Sequence, residues 1–189
     1  MQLFIIDKDP CKAASALADC HVRKQILETA QILTAYWVNS GYKRLDWMPR
    51  PQSYNHPVAK AITLENAGWV LTHFDALLSE YIFRFEKTHS YDKLYSFYLH
   101  RFTFHKLLSH YKNCEIESFH RMFSGFTPEP GDIVSEYRQY YRWKSTQIKD
   151  FRYTGVKPPE WLEVGKCARE KNTRSGRFSG TTARRFNAC

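Results

Sequence analysis

A chain of 189 residues with 43% hydrophobic and 16% aromatic content is long enough for one domain with a real core, not for two. No run of about 18 apolar residues occurs, so no membrane span is expected, and the opening MQLFIIDKDP is too short and too acidic to be expected to act as a signal peptide. The net charge of +9 is uneven. From Lys166 to the end, seven basic residues stand against Glu170 alone, so +6 of the +9 lies there.

In chain order, residues 2–6 form a short extended start. Asp9 followed by Pro10 is an N-cap with proline at the first helical position, so a helix is expected from Pro10 to about Leu17. A second, after a kink near Asp19, runs to about Asn39 and stops at Gly41. Its Val22, Ile26, Ala30, Leu33 and Trp37 follow the 3.6-residue period of a buried face. Residues 41–56, with Pro49 and Pro51, read as a loop.

Asn55-His56-Pro57 begins another helical pattern, which continues to about Lys87 with Gly68 as a candidate break. Its apolar face is Val70, Phe74, Leu77, Leu78, Tyr81 and Phe85. A further helix covers roughly 91–112. TPEPGD at 127–132 is a loop ending in the cap candidate Asp132, helix 133–149 follows, and KPPEW at 157–161 breaks it. No convincing strand pattern appears after the first residues. The expected fold is all-α: a single-domain bundle of about five helices over 1–163, with a basic, disordered tail over 164–189.

The tail is rich in arginine, and Arg174, Arg177, Arg184 and Arg185 suit contacts to phosphates. A solvated tail that only aids solubility is the plainer alternative. The five cysteines, Cys11, Cys20, Cys114, Cys167 and Cys189, are odd in number and contain no C-x-x-C pair. Reduced thiols and a cytoplasmic location are therefore expected. His100, His105 and His110 recur every five residues, about 500° of helical rotation, which spreads them around a helix. No metal and no cofactor are expected.

Three constellations can carry chemistry. In LADCHVRKQILETA, residues 17–30, His21, Gln25 and Glu28 share one face of the helix, with Arg23 and Lys24 beside them. They form either a polar solvated face or a substrate site with Glu28 as acid-base group. Adjacent Cys20 and His21 diverge by about 100° and cannot form a dyad. On the long helix, Asn66, Trp69, His73, Glu80 and Arg84 share a second face. Glu80 and Arg84 are an i,i+4 pair, and Trp69 on the polar side suits base stacking. The two stripes are expected to face each other across one groove, Glu28 opposite Glu80. The third constellation is YRQYYRWK, residues 137–144, where Arg138, Tyr141, Arg142 and Lys144 interleave rings and cations. This pattern serves nucleic acid, or equally an amphipathic helix with its rings packed inward.

The segment LADCHVRKQILETA resembles the first helix of the phage pyrimidine-dimer DNA glycosylases known as endonuclease V, through L-A-D-x-H and a glutamate seven residues after the histidine. HPVAKAITLENAGWVLTHFDALLSEYIFRF is more loosely similar to that family's central helix. Asp19/His21, Asn55-His56-Pro57 and Tyr137-Arg138-Gln139-Tyr140-Tyr141 match a phage-encoded group that often carries the glycosylase label. The resemblance covers about residues 1–90. It implies an all-α fold that binds DNA between helices in the cytoplasm of a bacterial host, a catalytic glutamate at Glu28 and a DNA-site histidine at His21.

The family's nucleophile is an α-amine left after methionine removal. Here residue 2 is Gln, which keeps the amine on Met1, and Leu27 stands where the family has arginine. The expected function is a DNA-directed N-glycosylase acting on a damaged or modified pyrimidine. Catalysis falls to Glu28 and Met1, and substrate contact to His21, Gln25, Asn55, His56, Trp69, His73, Glu80 and Arg84. A non-enzymatic nucleic-acid-binding accessory protein and an enzyme on free nucleotides are the alternatives.

Overall fold

The first six residues do more than start the chain. Leu3, Phe4, Ile5 and Ile6 are each at most 2% exposed, so this extended segment is threaded through the core. The computed structural model describes residues 1–101 and 114–162, and among them it has six α-helices, one 3-10 turn and no strand. The tail, with Arg174, Arg177, Arg184 and Arg185, lies outside the described residues.

Helix α1, Pro10–Ser15, starts where expected: the Asp9 carboxylate accepts the N–H groups of Cys11 and Lys12 at 2.8 and 3.2 Å. Helix α2, Asp19–Asn39, buries Val22, Ile26, Ala30, Leu33 and Trp37. It also buries His21, Gln25 and Thr29, a second covered face. Gly41, at φ +90°, ends it in a conformation that glycine adopts without strain.

The pattern from residue 57 onward is two helices. Helix α3, Pro57–Lys60, is capped by His56, whose Nδ1 accepts the Val58 N–H at 3.3 Å. The break falls at Ala61–Thr63, not at Gly68, and Asn66 secures it. The Asn66 Oδ1 accepts from Thr63 N–H at 2.9 Å, and its Nδ2 donates to the Ala61 carbonyl at 2.9 Å and to Ser118 Oγ at 3.1 Å. Helix α4, Leu64–Phe85, continues through Gly68. A helical glycine costs only about 1 kcal/mol, too little to interrupt a helix with both flanks buried.

Helix α5 is described over Asp92–Arg101, a 3-10 turn covers Ile116–Ser118, and helix α6 is Ile133–Gln147 with Asp132 as its cap. Helix α4 is the hub, packing on α1, α2 and α5. Among the described residues no helix is long and apolar enough to cross a membrane. Cys20 and Cys114 are free thiols, whereas Cys11 is disulfide-bonded, so the expectation of five reduced cysteines fails at Cys11.

Candidate functional site

The polar stripe of α2 is neither solvated nor a bare groove: it seats the first residues of the chain. Phe4 packs edge-on against the His21 ring at 4.9 Å. One turn on, the Gln25 Nε2 donates to the Gln2 carbonyl at 3.1 Å and to the Glu28 carboxylate at 2.8 Å. The chain thus begins at the Glu28 end of the stripe and runs toward His21. Glu28 keeps 13% of its side chain exposed and pairs with Lys24 across one turn at 3.7 Å. Gln25 Oε1 and Thr29 Oγ1, neighbours at i,i+4, are buried without a hydrogen-bond partner.

Two further elements close on the amino terminus. The Gln2 Nε2 donates to the Met122 carbonyl at 2.8 Å, which ties the start of the chain to the segment after the 3-10 turn. His56, at the start of α3, is pushed below the ordinary imidazole range, first by burial, then by the positive charge of the Met1 amine and by His120. With Nδ1 accepting the Val58 N–H, its proton sits on Nε2. The amino-terminal segment is thus joined to α2 through Gln25 and to the segment after the 3-10 turn through Gln2, and the Met1 amine is near enough to His56 for its charge to act there. Asn55 is exposed beside His56.

His21 is packed into the interior. It is 5% exposed, its Nδ1 lies 2.9 Å from the Tyr141 hydroxyl, and Phe4, Tyr141 and Phe151 pack around it. Burial, helped by Lys24 and Lys144, pushes its pKa down to about 4, so it is neutral at pH 7. Tyr141, expected to face nucleic acid, is fully buried, and its hydroxyl also accepts the Ala18 N–H at 2.8 Å. A distant side chain thus satisfies one of the orphan donors at the start of α2.

The second constellation is a structural clamp, and the expectation that Glu28 and Glu80 face each other across one groove is corrected accordingly. Arg84 is buried. It donates to the carbonyls of Leu17 at 2.6 Å and Ser15 at 2.9 Å, and pairs with Asp19 at 3.3 Å and Glu80 at 2.8 Å. Asp19 also accepts the N–H and hydroxyl of Thr154, at 3.1 and 2.6 Å. Glu80 is thereby committed to the α1–α2 junction, and the nine residues from Asp19 to Glu28 span about 13 Å of helix.

Trp69 and His73 are corrected too. Trp69 is 1% exposed and donates to the Lys8 carbonyl at 2.7 Å. His73 is fully buried, stacks on Trp69, and lies 3.0 Å from the Pro10 carbonyl. A single-helix projection puts both on the polar side because it does not include residues 8–10, which cover them. Asn66 is occupied at the break before α4.

In the third constellation the rings pack inward while the cations divide. Arg138 donates to the Ile6 carbonyl at 2.8 Å, pairs with Asp7 at 3.1 Å and lies 5.2 Å over Trp161. Arg142 is exposed and donates to the Trp161 carbonyl at 2.8 Å. Lys144 lies over the rings of Tyr140 and Trp143. Arg138, Arg142 and Trp161 line an open depression together with Asp132, Ser135 and Gln139. On α2, Lys24 is exposed near Glu28, and exposed Arg23 lies 4.2 Å over the Phe85 ring.

Sequence reasoning missed His120, Thr29 and the contacts of Gln2. No local pattern marks them, because each acquires its meaning from a contact between distant segments. No family model matches the chain, and comparisons with curated proteins and with solved structures return no match.

Proposed function

We propose that the chain is a DNA-directed N-glycosylase-like enzyme acting on a damaged or modified pyrimidine, with Glu28 and the amino terminus as its reactive centre. The observation that carries this reading is the single Gln25 amide shared by the Gln2 carbonyl and the Glu28 carboxylate. A buried amide at this position serves packing poorly. It does fix a carboxylate beside the first residues of the chain, the pairing that the resemblance to endonuclease V implies.

In this chemistry the bond between the base and C1′ breaks with its electron pair leaving on the base, which is then protonated. Glu28 stabilises the positive charge that develops on the sugar. The nucleophile is the unprotonated Met1 amine, which bonds to C1′, loses a proton and, as the C1′–O4′ bond breaks and O4′ takes up a proton, becomes an iminium adduct on the opened sugar, or it is a water whose proton Glu28 accepts. Neutral His56, near the Met1 amine, and exposed Asn55 beside it supply hydrogen bonds to the sugar-phosphate. The exposed cations Lys24 and Arg142, together with the arginines of the basic C-terminal sequence, bind phosphates.

The test is release of free base from oligonucleotides carrying damaged or modified pyrimidines, with and without borohydride. An adduct trapped at Met1 identifies the amine as nucleophile, and release without an adduct identifies water. Binding without release from any substrate replaces this reading with that of a non-enzymatic accessory protein.

A further inference from the structure

The loop between α2 and α3 carries three of the large hydrophobic side chains that stand exposed among the described residues: Tyr42 at 52%, Leu45 at 36% and Trp47 at 36%. An exposed aromatic on a slack loop would mean little. This loop is held from beneath. The Arg44 guanidinium donates to the carbonyls of Leu45 at 3.0 Å and Met48 at 2.8 Å. The Trp37 Nε1 donates to the Lys43 carbonyl at 3.0 Å, the Gln31 Nε2 donates to the Arg50 carbonyl at 3.0 Å, and Met48 is buried as an anchor.

The rings are also pre-oriented. Tyr42 stacks on Trp37 with centroids 4.2 Å apart, and Trp47 meets Phe97 edge-to-face at 5.3 Å. Lys43 and Arg50 are exposed on the loop, Lys93 lies 5.3 Å over the Trp47 ring, and Asp46 is the one acid in the loop. The loop also borders the Glu28 site, since Gln31, which holds Arg50, is one turn beyond Glu28 on α2.

We infer that residues 42–50 form a preorganised stacking platform for unpaired bases of a nucleic-acid strand, with Tyr42 and Trp47 taking base faces and Lys43, Arg50 and Lys93 taking the phosphates between them. Rigid rings flanked by cations are what sequence-tolerant single-strand binding uses, because every base has a π-face and every nucleotide a phosphate. The ordering entropy that a mobile loop would lose on binding has already been lost on folding. The inference rests on the nucleic-acid partner of the reading above and not on its chemistry.

The experiment is therefore binding of the full chain to an undamaged, fluorescently labelled oligothymidylate of about 15 nucleotides, a length within the site sizes such folds use, and to a duplex of equal length. Trp47→Ala is expected to weaken single-strand binding about tenfold, the loss of one base stack, and to remove tryptophan quenching on binding. Trp47→Phe is expected to retain most of the affinity, and Phe83→Ala, an exposed ring elsewhere on the surface, to match the wild type. Unchanged affinity in Trp47→Ala and Tyr42→Ala overturns this inference alone, and an equal loss in Phe83→Ala does the same. A wild-type chain that binds no nucleic acid, or binds phosphatidylserine vesicles instead, overturns it together with the DNA partner proposed above.

Discussion

Gln25 holds Glu28 in place: its Nε2 lies 2.8 Å from the carboxylate, and the same nitrogen donates to the Gln2 carbonyl. A carboxylate that must meet a sugar cation needs this kind of fixed orientation. Gln25→Leu keeps the bulk but removes the shared donor. It is expected to lower base release about tenfold or more while leaving DNA affinity within about twofold. The stability change should be small, on the order of 1 kcal/mol, because the missing hydrogen bonds are offset by removal of the orphaned Oε1. Single-turnover release and urea unfolding, measured on the same preparation, check both parts.

Arg84→Met is expected to destabilise the fold by about 3–5 kcal/mol, because it leaves Asp19 buried without its cation and frees the carbonyls of Ser15 and Leu17. Arg84→Lys restores the charge but not the planar fork and should recover only part of that stability. Urea denaturation gives both values. An Arg84→Met variant as stable as the wild type would show that the clamp contributes nothing net.

Acid should unfold the protein through its buried histidines. His21 and His73 are each pushed by burial to about 4, whereas an unfolded histidine titrates near 6.5. Between these values the unfolded chain binds more protons, so stability is full above about pH 6.5 and is lost progressively as pH falls toward 4, by up to about 1.4 kcal/mol per pH unit per histidine. Urea midpoints measured from pH 7.5 to 4.5 should fall steeply over that window. Replacing His73, which makes one hydrogen bond and stacks on Trp69, by Phe should flatten the slope.

The basic stretch from Lys166 to the end carries +6 of the net charge. Its deletion should reduce duplex binding, and the slope of log K against log salt should become shallower by about 0.9 for each phosphate that the shortened chain no longer neutralises. An unchanged slope would show that these arginines do not meet DNA.

The caps and periodic faces are legible in the sequence because their causes are local. Asp9-Pro10, Asn39–Gly41 and Asp132 mark helix ends within a few residues, and Val22, Ile26 and Ala30 repeat at the helical period. The stripe of His21, Gln25 and Glu28 is legible as a stripe, but not what covers it. That Phe4 and Gln2 lie on it is a contact between distant segments, invisible to a helical projection. The same gap misplaces Trp69 and His73, which residues 8–10 cover, and Tyr141, whose hydroxyl reaches Ala18 across 123 residues. Glu80 and Arg84 read as a surface pair because i,i+4 spacing says nothing about burial.

The measurement closest to the central claim is single-turnover base release by Glu28→Gln beside its DNA affinity. The substitution keeps shape and hydrogen bonding to Gln25 within reach while removing the charge the sugar cation requires, a loss worth roughly 3–4 kcal/mol or more. The predicted result is release slowed at least about a hundredfold with binding intact. Release at the wild-type rate from Glu28→Gln would contradict the account and place the chemistry elsewhere on the chain.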